Sequence, residues 1–267
     1  MKTAIQLYDN LRQKVQFLYR TLNLHRQEKI KGRKLALPII DIIALSIFKQ
    51  KNHIATKKSV FEIFRPDCSY KTLVVNMNRF ATLAGILLAF ILNLNRQGAH
   101  PIKHTDSSDL PVCSKRKAKH HKTMKYFAQW GKTGKGSFYG LKLHISADLN
   151  QRLLSLRFTG GAVDDRKVFM RLNEGLYGVF VADAGYISQK LQREFYVEHK
   201  RILFAKSRKN MKKLITEFQY RLYNTRVLIE LNFRNLKMFY GLVTSLPRSI
   251  NGYLANYIYS LLAYTLA

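Results

Sequence analysis

The chain has 267 residues, of which 47% are hydrophobic, so it can bury a sizeable core and is not a small scaffold that depends on disulfides or a metal to fold. Its 46 lysines and arginines face only 16 acidic residues, a formal net charge of +30. That charge favours a polyanionic partner, with nucleic acid as the leading interpretation. An anionic membrane surface is the weaker one, because the cations are spread along the chain rather than gathered on one amphipathic helix.

Cysteine usage and hydropathy predict a protein of a reducing compartment. Cys68 and Cys113 lack the spacing of metal ligands and are interpreted as buried thiols. The N-terminal stretch is charged and has no signal-peptide hydrophobic region. Apolar stretches at residues 80–94 and 253–267 fall short of the roughly 20 residues that a membrane span needs. They are better interpreted as core helices, and we expect a cytoplasmic protein.

The pattern of apolar residues over 1–97 predicts a small, all-helical domain with many basic residues. Apolar residues keep helical spacing near the N-terminus, and Pro38 opens a second helix. A long helix is predicted from about Lys71 to Asn93. The pattern fits both a helix-turn-helix that binds DNA and a generic helical packing domain, and a DNA-binding domain is the prediction.

From residue 98 onward, short apolar runs between glycine-rich breaks predict an α/β domain over residues 98–267. The predicted strands are Ile102–Asp106, Leu110–Cys113, Phe138–Ser146, Arg152–Phe158, Val179–Ala182 and Ile202–Ala205. The predicted helices are Asp164–Leu172, Ile187–His199, Asn210–Tyr240 and a last one from about Ser249 to the end. This order indicates a mixed sheet with flanking helices.

Few acidic residues lack a simple explanation as a helix cap or a surface charge. Asp183 follows a buried strand, at the end where open α/β sheets bind ligands, although a helix cap also explains it. Asp106 follows a shorter run, and a turn with the serines after it is the alternative. Asp109 stays open as an alternative to Asp106, and a further acid at Asp164 or Asp165 is also open.

A charged stripe on a predicted helix supplies the remaining acid. At about 100° per residue, Tyr223, Arg226, Glu230 and Lys237 share an arc of about 60° on one continuous helix. A carboxylate between cations suits a site where the acid holds a metal and the cations hold phosphate, while a solvated face with an Arg–Glu pair is the alternative. Oxygen-only ligation suits Mg²⁺ or Mn²⁺, and two such ions serve in-line displacement at phosphorus.

Five segments in order share one resemblance. They are Asp106-Ser107 with Leu110–Cys113, Phe138–His144, Thr159–Arg166, Asp183–Ile187, and the spacing Tyr223-x2-Arg226-x3-Glu230-x6-Lys237. Together they resemble elements of bacterial insertion-sequence transposases of the DDE class, from about residue 33 to the end. Ala162 stands where that pattern has Asn, and Ala184 stands where it has Lys, which removes one cation near the site.

The resemblance implies an RNase H-like fold in which Asp106, Asp183 and Glu230 form the catalytic triad and bind two Mg²⁺ or Mn²⁺ ions. It implies that Arg226 and Lys237 contact DNA phosphates and that Tyr223 contacts or supports the end DNA.

The implied activity is metal-dependent cleavage at insertion-sequence ends and strand transfer into target DNA. The implied partners are double-stranded DNA, as terminal inverted repeats and target, and a second copy of the chain, because pairing two ends calls for a homodimer. The protein would then be associated with a bacterial nucleoid. A derivative that only binds its terminal repeats and a nuclease of the same fold remain alternatives.

Two basic segments complete the predicted DNA surface. The first contains the candidate DNA-binding residues Lys115, Arg116, Lys117, Lys119 and Lys122, and Lys206–Lys213 is interpreted in the same way. A solvated loop is the alternative for both. Trp130 is expected to be partly buried over the hairpin, with base stacking as the alternative.

Overall fold

The structure is a computed structural model that describes residues 3–27, 34–134, 136–205, 215–243 and 247–267. The chain divides into two compact units, a helical one of Met1–Ile91 with Asn235–Ala267 and an α/β one of Leu92–Arg234. This division differs from the predicted boundaries 1–97 and 98–267, because the C-terminal helix packs with the N-terminal helices. Which residues form each functional domain therefore stays a prediction.

The helical unit is built around one helix that is apolar on nearly every side. The helices are α1 (Ala4–Thr21), α2 (Ile39–Lys51), α3 (Lys57–Phe64), α4 (Tyr70–Arg79), the first part of α5 (Ala81–Gln97), and α10 (Ile250–Thr265). Most of α2 is buried, as expected for a helix in the middle of a core. It packs against α1 and α10, so apolar residues from both ends of the chain meet in one core.

The predicted single helix from Lys71 to Asn93 is wrong. The chain forms α4 and α5 instead, which are bent by 42° relative to each other. Phe80, the C-cap residue of α4, lies at the break and is buried.

No single helix among the described residues is long and apolar enough to cross a membrane, although α4 and α5 taken together pass that test by length and composition. Of the two cysteines, Cys113 is buried and Cys68 is only partly so.

A mixed sheet forms the α/β unit. Its strands are β1 (Ile102–Pro111), β2 (Gln129–Thr133), β3 (Gly136–Asp148), β4 (Leu153–Gly160), β5 (Val179–Ala182) and β6 (Ile202–Ala205). β3 pairs antiparallel with β2, β4 and β1, and β5 runs parallel to both β1 and β6. The predicted mixed sheet and the β3–β4 hairpin are confirmed.

Two strands differ from their predictions. β1 is one strand of 10 residues rather than two short pieces. Its polar middle, Asp106–Asp109, breaks the apolar pattern, yet each of these residues pairs with a residue of β3. β2 lies in a glycine- and lysine-rich stretch with no apolar alternation and was not predicted as a strand. In both cases pairing with β3 outweighs the weak local signal.

Four α-helices accompany the sheet in the part of this unit that the structure describes. They are α6 (Asp165–Leu172), α7 (Gln189–Val197), α8 (Glu217–Asn224) and α9 (Val227–Met238), the last of which continues into the helical unit. The rings of Phe169 and Phe180 each lie 4.9 Å from the ring of Phe195, so α6, α7 and β5 share an aromatic core. That core fixes β5, the strand that ends immediately before Asp183.

Gly178 controls the entry into β5 and generates a prediction. Its φ is +103°, and an added Cβ would lie 2.2 Å from the carbonyl oxygen of Pro101. Gly178→Ala should therefore lower the free energy of unfolding by about 2–4 kcal/mol. Gly134→Ala is the control, because its Cβ would meet nothing within 4 Å. Equal urea midpoints for the two variants would contradict this role.

Candidate active site

Asp106 and Asp183 lie on neighbouring parallel strands at the same level of the sheet. β1 and β5 are paired through Thr105 and Ala182, the residues immediately before the two acids. The Asp106 side chain is 21% exposed and accepts a hydrogen bond of 2.8 Å from the backbone N–H of Ser107. Asp183 is exposed, in extended backbone directly after β5. Its charge raises the pKa of Asp106, so the two carboxylates interact.

Arg226 joins Asp106 to Glu230. Its Nη1 lies 3.4 Å from Oδ2 of Asp106, and its Nη2 donates a hydrogen bond to Oε1 of Glu230. The guanidinium is 20% exposed and lies 5.8 Å from the centre of the Tyr223 ring. Asp183 also contributes to the electrostatic environment of Arg226. Arg226 therefore contacts two of the predicted acids and interacts electrostatically with the third.

The continuous helix assumed for the charged stripe is wrong. α8 ends at Asn224 and α9 begins at Val227, so the angular estimate for Tyr223 does not apply. Thr225 marks the break, where its hydroxyl donates to the carbonyl oxygen of Leu222 at 2.6 Å and is hydrogen-bonded to Nε2 of buried His104 at 2.8 Å. A contact with the sheet thus sets this break.

Lys237 lies in the last turn of α9, in the part of that helix that belongs to the helical unit. Its predicted contact with DNA phosphate stays a prediction, as does that of Tyr223.

The acidic residues that the sequence left as alternative site residues differ in what they contact. Asp164 caps α6 and forms an ion pair with Arg166, whose hydrogen bond lowers the pKa of Asp164 to about 2. Asp165 holds Nζ of Lys142 at 3.0 Å, and its charge raises the pKa of Asp106. Asp109, three residues after Asp106 on β1, faces the opposite side of the sheet.

Tyr186 was not singled out from the sequence as a site residue. It is buried, its hydroxyl has no hydrogen-bond partner among the described residues, and burial with the charges of nearby acids raises its pKa. The acids that contribute are Asp106, Asp165, Asp183 and Asp164. The segment Asp183-Ala184-Gly185-Tyr186 carried the signal, because it belongs to one of the five matching elements.

Burial gives Asp106 an unusual protonation equilibrium. It raises the pKa of Asp106 to about 7, although the Ser107 N–H and the charge of Arg226 lower it. Desolvation and neighbouring carboxylates therefore outweigh the single cation beside them. The cluster carries more negative charge than Arg226 neutralises.

The donor chemistry of this cluster fits a hard divalent cation. Within the described ranges, no group of three His, Cys, Asp or Glu side chains is arranged to hold a metal ion. The carboxylates of Asp106 and Glu230 nevertheless converge on the same guanidinium, and the orphaned hydroxyl of Tyr186 adds a further oxygen. Carboxylate oxygens are ligands that suit Mg²⁺ or Mn²⁺, and a neutral hydroxyl beside them can hydrogen-bond to a water on such an ion.

The first basic segment is an exposed, ordered feature. Residues Lys115–His120 form a 3-10 helix anchored by buried Ala118. The five candidate DNA-binding side chains in this region are all exposed: Lys115, Arg116, Lys117, Lys119 and Lys122. Trp130 is half-exposed on β2, with its ring 5.6 Å from that of Tyr139. The second basic segment, Lys206–Lys213, lies outside the described residues.

Comparison with known proteins agrees with this combination of sheet and acids. The family model of the transposase DDE domain matches residues 96–250. The chain therefore belongs to the transposases with a DDE domain. The predicted fold class, a mixed α/β sheet with flanking helices after an N-terminal helical region, is confirmed.

Individual relatives add little to that assignment. One solved structure, the crystal structure of the Mos1 mariner paired end complex with Mn, matches at 12% identity with a TM-score of 0.26. The match covers 78% of this chain and 79% of that one, but at this TM-score it supports no conclusion about this chain. A search of the curated proteins finds no match.

The raised pKa of Asp106 generates a prediction about folding stability. The folded protein holds the proton of Asp106 up to about pH 7, while the unfolded chain releases it near the ordinary pKa of an aspartate, 3.8. Between these values the folded state binds more protons, so stability falls as the pH rises. In the presence of a chelator, the wild-type protein should lose about 3 kcal/mol relative to Asp106→Asn between pH 4 and pH 7. Parallel pH profiles in urea denaturation would rule out the buried carboxyl as their source.

Proposed function

We propose that this chain cleaves DNA at the ends of a bacterial insertion sequence and joins the freed 3′ ends to target DNA. The observation that supports this most is the convergence of Asp106 and Glu230 on Arg226, with Asp183 beside them on the next strand. Membership of the DDE transposase family supplies the reaction class. The net charge of +30 suits a DNA substrate.

In this proposal Asp106, Asp183 and Glu230 bind two Mg²⁺ or Mn²⁺ ions, with Tyr186 next to them. When bound, such ions supply the positive charge that an in-line displacement at phosphorus needs on its attacking and leaving oxygens. Arg226 stabilises the carboxylates in the free protein, and turning away from Asp106 would make it available to a DNA phosphate. Its planar guanidinium suits both partners.

The DNA surface of the proposal comprises exposed cations and the residues around the acids. The cations are Lys115, Arg116, Lys117, Lys119 and Lys122, and the others are Tyr223, Arg226 and Lys237. The substrates are the element's terminal inverted repeats and a target duplex. Because two ends must be held together, the active form is a homodimer on DNA, associated with the bacterial nucleoid.

Substitution of the acids tests catalysis. Asp106→Asn, Asp183→Asn and Glu230→Gln should each reduce nicking of a labelled duplex at least about a hundredfold in Mg²⁺ while end binding persists. The duplex should carry the inverted repeats that flank the coding sequence. Asp109→Asn is the matched control, since it removes a charge from the other face of β1, and it should cleave like the wild type.

The products of this assay separate the alternatives. Joined product together with loss of nicking in the acid variants supports transposition. Cleavage without joining would indicate a nuclease, and binding without nicking by the wild-type chain would indicate a derivative that only binds DNA. Nicking that persists in all three acid variants would contradict the triad.

A second experiment tests the basic segment. The double variant Lys117→Gln with Lys119→Gln should reduce the slope of log K against log salt for duplex DNA by about 2, because each phosphate contact contributes about 0.9. Lys58→Gln with Lys190→Gln removes the same charge from exposed positions in α3 and α7. Equal slopes for the two double variants, measured by fluorescence anisotropy, would exclude the segment from the DNA surface.

A further inference from the structure

A cavity of about 340 Å³ lies within the helical unit, where α2, α3, α4 and α10 meet. Three cationic side chains line it, those of Lys49, Lys57 and Arg248. The described residues around it include neither Asp nor Glu. Val74 and Met77 also line it, so apolar as well as cationic side chains surround the space.

Lys49 is buried and Lys57 is half-buried, and neither has an acidic partner among the residues that the structure describes. Lys49 is 6% exposed, and its ammonium donates to the side-chain oxygen of Gln50 at 3.3 Å. That amide is oriented by Asn256, whose Oδ1 accepts from Nε2 of Gln50 at 2.8 Å. The ammonium of Lys57 donates to the side-chain oxygen of Asn78. Neutral amides satisfy hydrogen bonds but leave both charges uncompensated.

The two ammonium groups also act on each other. Burial lowers the pKa of both Lys49 and Lys57 to about 8, and the charge of Lys49 lowers that of Lys57 further. Two like charges held together in a partly dry cavity oppose folding unless an anion accompanies them.

The helix ends around the cavity favour an anion as well. Lys57 is the first residue of α3, where the helix dipole opposes a cation. Ser249, which caps the start of α10, also lines the cavity. Lys49 lies in the last turn of α2, where the dipole suits a cation, so Lys57 is the more telling of the two. The positive ends of two helices therefore face the space that the lysines line.

We propose that this cavity binds a phosphate group between Lys49, Lys57 and Arg248, at the N-terminal ends of α3 and α10. Ammonium, guanidinium and helix N–H groups are all donors that recognise phosphate. The phosphate belongs either to the DNA backbone or to a free phosphate compound. The inference does not depend on the catalytic proposal, because every residue involved belongs to the helical unit.

The test compares Lys57→Gln with Lys58→Gln in the full chain. Lys58 is the next residue of α3, is exposed and does not line the cavity. Inorganic phosphate should raise the Tm of the wild type and of Lys58→Gln above that in sodium chloride of equal ionic strength. Lys57→Gln should weaken phosphate binding at least about tenfold in calorimetry, while remaining at least as stable as the wild type without phosphate.

Arg248→Gln is a second variant for the same purpose, because Arg248 is exposed and its loss leaves the core intact. It should weaken phosphate binding in the same direction as Lys57→Gln.

Duplex DNA distinguishes the two sources of phosphate. If the cavity holds a backbone phosphate, Lys57→Gln should reduce the salt slope of DNA binding by about 1 relative to Lys58→Gln. If it holds a free phosphate compound, the DNA slopes should agree while the phosphate response is lost. The proposal is overturned if Lys57→Gln and Arg248→Gln match Lys58→Gln with both inorganic phosphate and DNA.

Discussion

The contact of Arg226 with Asp106 and Glu230 is the interaction on which the arrangement of the site depends. It joins a strand near the start of the sheet to a helix 120 residues later in the chain. Three carboxylates near one another repel, and Arg226 is the cation that makes their proximity tolerable in the absence of other ligands. Because both Arg226 and Asp106 are about four-fifths buried, the pair gains strength from the low dielectric but also loses hydration.

The balance of these terms explains why the site is suited to a stronger cation. Burial still raises the pKa of Asp106 to about 7, so one guanidinium does not compensate the cluster. Tyr186 contributes a buried hydroxyl whose hydrogen-bonding capacity is unused among the described residues. Because the negative charge of the site is not fully neutralised, the carboxylates remain able to bind a cation. The surrounding sheet, fixed by the Phe169, Phe180 and Phe195 core, keeps these groups in place.

Sequence reasoning predicted the features that depend on local pattern. The alternation in β3 and β4, the short apolar runs of β5 and β6, and the emergence of Asp183 after β5 were all readable from the sequence. The sequence-based prediction was wrong where a contact between distant residues determined the local structure. Thr225 interrupts the helix without any glycine or proline, because its hydroxyl meets buried His104. An angular stripe calculated for one continuous helix could not include that contact.

The net charge likewise predicts a class of partner but not the position of individual charges in the fold. Composition predicts a polyanionic partner, and the exposed basic segment agrees with that expectation. It does not predict that Lys49 is buried and Lys57 half-buried around one cavity, where the charge of Lys49 lowers the pKa of Lys57. Nor does helical periodicity predict that α10 packs with α2, since it identifies the apolar face of a helix but not its partner. Motif spacing predicted Asp106, Asp183 and Glu230 as site acids and left Asp165 open, whereas the buried hydroxyl of Tyr186 is apparent only in the folded chain.

The most direct test of the central claim is the anomalous scattering of crystals soaked in Mn²⁺. The account predicts an anomalous peak about 2.1 Å from carboxylate oxygens of Asp106 and Glu230, adjacent to Asp183, with Arg226 turned away from Asp106. Manganese bound elsewhere, with the guanidinium still between the two carboxylates, would contradict it.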